Sequence, residues 1–227
     1  MSVLSACASA AIRLRGKKVT SVFSTDPFSI ELGDLATEAA RAIVDEHDWQ
    51  ALTKLCTLNG TGSAETFALP VDYKRMLKKG DVHSTTWQTA RYLPADDLDD
   101  WLEFQGMAIS GTPGRWIITG GEMGILPAMP VGETARFHYI SRNITSGGKA
   151  QFEADADEFV LDERLLTLAV IWRWRAQKRL EYAEDLRNYE LALNKAIASD
   201  RGQRPLSMSG RRKVDIGDVA FPGTITP

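Results

Sequence analysis

The chain has 227 residues, 44% of them hydrophobic, enough to bury a core in one domain or in one domain with an insertion. A formal charge of -3 has the wrong sign for a dedicated nucleic-acid binder, which carries a clear excess of Lys and Arg. The two cysteines, Cys7 and Cys56, have no metal-ligand spacing, so they read as free buried thiols in a reducing compartment, with a single disulfide as the alternative.

The first residues place an apolar stretch before Arg13, Arg15, Lys17 and Lys18, the reverse of the order in an export signal. A short amphipathic helix over about 2–15, ending near Gly16, is expected instead. A polar connection, Val19 to Ser29, leads to a second helix over about 30–47, whose apolar stripe is Leu32, Leu35, Ala39, Ala42 and Ile43. The period then changes. Trp49–Leu58 and Thr66–Leu69 flank Asn59-Gly-Thr-Gly-Ser63, a pattern that predicts a β-hairpin. Leu93–Phe104, with Pro94 and a run of acids, reads as the start of a helix. Short strands follow at Met107–Ser110, Trp116–Thr119, Ile125–Leu126 and Ala135–Ile140, separated by Gly- and Pro-containing turns.

Two further helices are expected over about 161–178 and 180–199. Asp162 and Glu163 suit the first helix start, and Leu165, Leu168, Ala169 and Trp172 follow at helical spacing. The second carries Tyr182, Leu186, Tyr189, Leu193 and Ile197 on one face and Glu184 and Arg187 on another, and stops near Gly202 and Pro205. The longest apolar run, Leu165 to Trp172, falls short of the ~20 residues that cross a bilayer, so the reading is a soluble protein without a membrane partner. Helices and strands segregate along the chain, which gives an α+β fold: a helical bundle of N- and C-terminal helices, a β-rich insertion over about 49–159 and an extended C-terminal tail. Residues 1–200 form the domain in this reading, and 201–227, with too little apolar content for a core, form an arm that orders on a partner surface.

No motif calls for a catalytic set, a metal or a cofactor. His47, His83 and His138 lack partners at ligand spacing, Gly120–Gly124 lacks the Lys-Ser/Thr ending of a phosphate loop and reads as a hairpin turn, and no Gly-x-Ser-x-Gly elbow occurs. Asn59 and Asn143 match the glycosylation pattern without an export signal to give it meaning. Two acidic clusters, Asp96, Asp97, Asp99, Asp100 with Glu103, and Glu153, Asp155, Asp157, Glu158, leave open either paired carboxylates for glycoside hydrolysis or solvated faces and helix starts. Trp172 and Trp174, interleaved with Arg173, Arg175, Lys178 and Arg179, suit either stacking on bases or a subunit interface, with the interface preferred. The two indoles point about 200° apart on a helix, which assigns Trp172 to the core and Trp174 to a charged face elsewhere.

The run Ile171–Glu190, IWRWRAQKRLEYAEDLRNYE, resembles the carboxy-terminal helices of head-to-tail adaptor proteins of short-tailed bacteriophages. Asp34–Arg41, Asp48–Leu52, Leu69–Tyr73 and Gly124–Pro130 agree with that family in order, so the likeness spans Leu32 to Leu206. The resemblance implies a structural, non-catalytic virion protein, made in the host cytoplasm and placed in the neck below the portal. There it would form a ring, twelvefold in the family, through which genomic DNA passes without sequence-specific binding, and which seats tail nozzle or fibre proteins. It further implies a portal-binding arm at Arg204, Leu206, Arg211, Arg212, Lys213, Ile216 and Phe221. A subunit interface is implied at Arg173, Trp174, Arg175, Lys178, Tyr182 and Arg187, and lumen-facing acids at Asp97, Asp100, Asp155 and Asp157. The alternatives are another tail-tube or head-completion subunit, a soluble hydrolase using the acidic clusters, and a nucleic-acid-binding module.

Overall fold

A computed structural model describes residues 2–78, 80–85, 91–106 and 114–200. Among them are five α-helices and eight strands. Helix α1 (Val3–Arg15) starts where the Ser2 side chain accepts from Ser5 N and stops at Gly16, whose φ of +67° suits the left-handed cap that glycine adopts at little cost. Helix α2 (Pro27–Glu46) begins three residues earlier than its apolar stripe indicates. The Asp26 carboxylate caps Ser29 N and Pro27 occupies the first turn, so the last residues of the expected connection Val19 to Ser29 are a helix start. Helices α4 (Glu163–Gln177) and α5 (Ala183–Asp200) follow the expected pattern, with Asp162 capping Arg164 N at 2.9 Å. Between them Arg179 takes a φ of +56°, a single left-handed residue that turns the chain back.

Helix α4 is the centre of the helical layer: α1, α2 and α5 all pack on it. The core there joins Ala6, Ala10, Leu32, Ala36, Ala39, Ile43, Leu166, Ala169 and Val170, all fully buried, and small residues let the helix backbones approach closely. Cys7 lies in this core as a free thiol, and burial first, with Asp155 and Glu163 adding, pushes it up to about 12. Cys56 is the second free, buried cysteine.

The strands β1 (Thr53–Asn59), β2 (Thr66–Ala68), β3 (Tyr73–Met76), β4 (Val82–Ser84), β5 (Arg91–Pro94), β6 (Arg115–Thr119), β7 (Glu122–Leu126) and β8 (Thr134–Ser141) form a mixed sheet in the order β1-β8-β4-β5-β6-β7-β2, with β3 also on β8. The hairpin expected around Asn59–Ser63 does not form. Strand β1 pairs instead with β8, Thr53 opposite Ile140 through Asn59 opposite Thr134, and β2 pairs with β7. The glycines serve a close approach: a Cβ on Gly60 would sit 2.3 Å from the Pro130 carbonyl oxygen, while Gly60 N donates to Glu133 O and Gly62 N to Met129 O. This loop carries the chain from one end of the sheet to the other. The Gly120-Gly121 turn is a hairpin, joining β6 to β7 with both glycines at positive φ.

Helix α3 (Leu98–Gly106) starts later than Pro94, which closes β5 against β6; Asp97 caps it by accepting from Asp100 N at 2.7 Å. The strand expected at Met107–Ser110 lies outside the described residues. Strands β3, β4 and β5 escaped the sequence reading because each has at most four residues and no clear alternation. A second core, with Cys56, Val82, Met123, Ile125, Met129 and Phe137, lies within the sheet. The helical core itself takes in Trp49, Leu52, Ile140 and Ile144 from the sheet region, and Trp49 Nε1 donates to Ile43 O at 2.8 Å within it.

Candidate functional site

The aromatic and basic run of α4 is held by its neighbours on three sides: Trp172 packs against the core as expected, and Trp174 is buried as well. Trp174 is 7% exposed: its ring meets Phe28 edge-on at 6.0 Å and its Nε1 donates to Glu31. Trp172 is half-buried against the Tyr189 ring of α5 at 6.0 Å. Positions 200° apart both face a partner because α1 and α2 cover one side of α4 and α5 another. Trp174 is therefore a core residue of this chain and does not lie on the charged face expected of it.

The cations around these indoles are paired at home. Arg173 reaches Glu38 at 2.6 Å, Lys178 reaches Glu31 at 2.6 Å, and Arg175 reaches Asp185 at 2.6 Å, in the first turn of α5 where a carboxylate suits the helix dipole. The first two tie α4 to α2 and the third ties α4 to α5. Arg187, Tyr182 and Lys178 are the exposed ones of the six, and of these Arg187 and Tyr182 are in no ion pair among the described residues.

The end of α5 is anchored as well. The Asp200 carboxylate accepts from Gln50 N at 3.1 Å and lies 3.3 Å from His47 Nε2, while Gln50 Nε2 donates to Asp200 O. The root of residues 201–227 is thus set beside the junction of α2 and β1. Arg204, Leu206, Arg211, Arg212, Lys213, Ile216 and Phe221 themselves lie outside the described residues.

The acidic clusters have local tasks. Asp97 caps α3, and Asp100 accepts from Asp96 N at 3.1 Å and pairs with Arg115. The Asp96 amide, then Arg115, holds the Asp100 carboxyl below the usual range. Asp155 accepts from Val22 N at 2.7 Å, and Asp157 accepts from Glu153 N, Ala154 N and Lys149 Nζ. The Glu153 amide is the main cause holding Asp157 below the usual range. Carboxylates held ionised in this way are poor general acids, and the carbonyls of Asp157 and Asp155 also receive Val3 N and Leu4 N at the start of α1. Among the described residues no group of three or more His, Cys, Asp and Glu is placed to hold a metal ion.

Two polar constellations went unseen in the sequence. Asp72 accepts from Lys54, Tyr139 and Ser141; burial opposes its charge, yet these three donors bring its carboxyl down to about 2. Glu133, 5% exposed, accepts from Tyr92 and Ser84, and burial, then Glu133, pushes the Tyr92 hydroxyl up. No local signal marks either, since the partners lie far apart in sequence.

The model of the SU10 adaptor protein family matches residues 1–213. The chain belongs to the SU10 adaptor family. No curated protein matches it. As an SU10 adaptor it is a phage structural protein of the virion, and the match runs through the helical layer and the sheet and on as far as Lys213. In this adaptor no helix among the described residues is long and apolar enough to cross a membrane.

Proposed function

We propose that this adaptor binds beneath the portal in the virion neck, forms a ring around the DNA channel, twelvefold as in the family it resembles, and seats the tail. The observation that carries this reading is the family match over 1–213, which takes in both the helical layer and the basic triplet Arg211-Arg-Lys213. The helices stand side by side in the ring, the exposed Tyr182 and Arg187 lie toward a neighbouring copy, and the arm reaches the portal from its anchored root at Asp200. Each arm adds modest affinity, and repetition around the ring turns it into avidity. Exposed acids such as Asp97 repel the phosphate backbone of passing DNA. Engagement of Asp100, Asp155 and Asp157 in caps and ion pairs favours an assembly protein over the hydrolase alternative.

The test is the native mass of the purified chain, alone and with the portal protein of the same genome. The expected result is one adaptor per portal subunit in a stable complex, and truncation after Gly202 removes portal binding while leaving the helical far-UV signal intact. A full-length chain that ignores the portal refutes the reading.

A further inference from the structure

The helical layer carries opposite charge on two of its faces. On one, Arg13 near the end of α1 stands exposed with Arg164 of α4 and Lys195 of α5, and none of them is in an ion pair among the described residues. Between α1, the start of α4 and α5 runs an open groove of 660 Å³, rimmed by Arg13, Arg164 and Lys195. Its apolar lining is Leu168, Ala192 and Ala196, with Leu191 at its edge 61% exposed. Asp162, whose carboxylate accepts from Arg164 N, also lines it, so the groove sets three cations against one carboxylate over an apolar floor.

The other face is the outside of α2, which carries Glu31, Asp34, Glu38, Asp45 and Glu46 against a single Arg41. Lys178, Arg173 and Lys74 neutralise Glu31, Glu38 and Asp45, leaving Asp34 and Glu46 exposed and without an ion pair among the described residues. Beside Asp34, Ile30 is 55% and Phe23 48% exposed, at the border of a second depression of 450 Å³. The first face thus keeps an excess of positive charge and the second, with Asp34 and Glu46 against Arg41, a smaller excess of negative charge, each beside exposed apolar side chains.

We infer that these faces are the two halves of one head-to-tail contact between copies of this chain, the α2 face of one copy, with Ile30 and Asp34, seated on the α1–α4–α5 groove of the next. The inference rests on the ring reading and names the surfaces that would build it. Two different, complementary patches make a heterologous contact, and such contacts close into rings when the rotation permits. Opposed charges steer the encounter and set the register, while Leu191, Ile30 and Phe23 supply the apolar area. The chain's own arm is a poorer occupant, because Arg201, Arg204, Arg211, Arg212 and Lys213 against Asp215 and Asp218 give it the groove's own sign. DNA phosphates match the cations but leave the exposed leucine and isoleucine unexplained.

The experiment places cysteines at Ile30→Cys and Leu191→Cys in one full-length chain and treats the portal-bound assembly with a short bis-maleimide. The native Cys7 and Cys56 are buried and serve as the silent background. The expected result is a ladder of covalently joined copies from the double variant and no joined product from either single variant. In parallel Asp34→Lys, an exposed change that leaves the melting curve alone, weakens assembly about tenfold or more. Dimers from the single Leu191→Cys variant would mean a two-fold contact and overturn the inference. Rings on the portal with no ladder and no effect of Asp34→Lys overturn these faces while leaving the ring reading standing. No assembly at all overturns both. Salt-sensitive binding of duplex DNA that Arg164→Glu abolishes, with the ladder absent, reassigns the groove to phosphate.

Discussion

The helical layer and the sheet keep different things inside. Where α1, α2 and α4 meet, the interior is apolar and rich in alanine, with Ala6, Ala10, Ala36, Ala39, Ala40 and Ala169 fully buried, and the ion pairs lie at its margins. The sheet gathers its charges into hydrogen-bond networks: Glu133 is buried beneath Tyr92 and Ser84, and Asp72 collects Lys54 of β1 with Tyr139 and Ser141 of β8. Shape complementarity holds the first region and is nearly indifferent to pH. Satisfied polar networks hold much of the second, so it answers to protonation and to the loss of single oxygen atoms.

The largest effect should come from the apolar side. Leu166 is fully buried on α4, where three helices converge, so Leu166→Ala removes contacts that no neighbour can replace and costs about 2–5 kcal/mol in denaturant unfolding. Glu133→Ala should follow at about 1–3 kcal/mol, because the buried Tyr92 hydroxyl and Ser84 lose their shared acceptor, whereas Glu133→Gln keeps an oxygen there and costs less. If the two glutamate variants melt alike, the sheet is not held by this network and the contrast between the regions weakens.

The same division decided what could be read from the sequence. Asp162, Leu165 and Ala169 announce α4 within a few residues of each other, and local signals of that kind need no knowledge of the rest of the fold. Strand β1 was recognisable as extended chain, but its partner β8 begins beyond Asn59 by more than half the sheet region, and nothing near Gly60 distinguishes a hairpin from a crossing held by Met129, Pro130 and Glu133. The facing of Trp174 failed for a related reason: helical angle gives the direction of a side chain, and only the packing of α1 and α2 says that this direction is also interior. The cations of the candidate site were legible as residues, yet their partners Glu31 and Glu38 sit on a helix far earlier in the chain.

Asp72 offers a sharper test of the sheet's polar character. Its carboxyl is held down to about 2 in the fold against an ordinary 3.8, so its contribution is complete above the ordinary value and is lost as pH falls from about 3.8 toward 2. Asp72→Asn should cost about 1–2 kcal/mol at neutral pH and flatten the stability profile below pH 4, read from unfolding curves at each pH. A wild-type profile that falls through that window no more steeply than the variant's would detach Asp72 from the stability of β1 and β8.

The smallest effect should be at the corner of α4 and α5. Arg175 and Asp185 are 2.6 Å apart, but their side chains keep 35% and 20% of their exposure, so water screens the pair and the entropy of holding the arginine offsets part of the attraction. A double-mutant cycle with Arg175→Met and Asp185→Asn should return a coupling of about 0.2–1 kcal/mol that shrinks further at high salt. The turn itself rests on backbone contacts, Leu180 N to Arg175 O and Arg179 N to Ala176 O, and on the burial of Tyr189, none of which those changes touch. A coupling above about 2 kcal/mol would belong to a desolvated pair. It would mean that charge holds the helical corner much as it holds Asp72, and the two regions would no longer differ in kind.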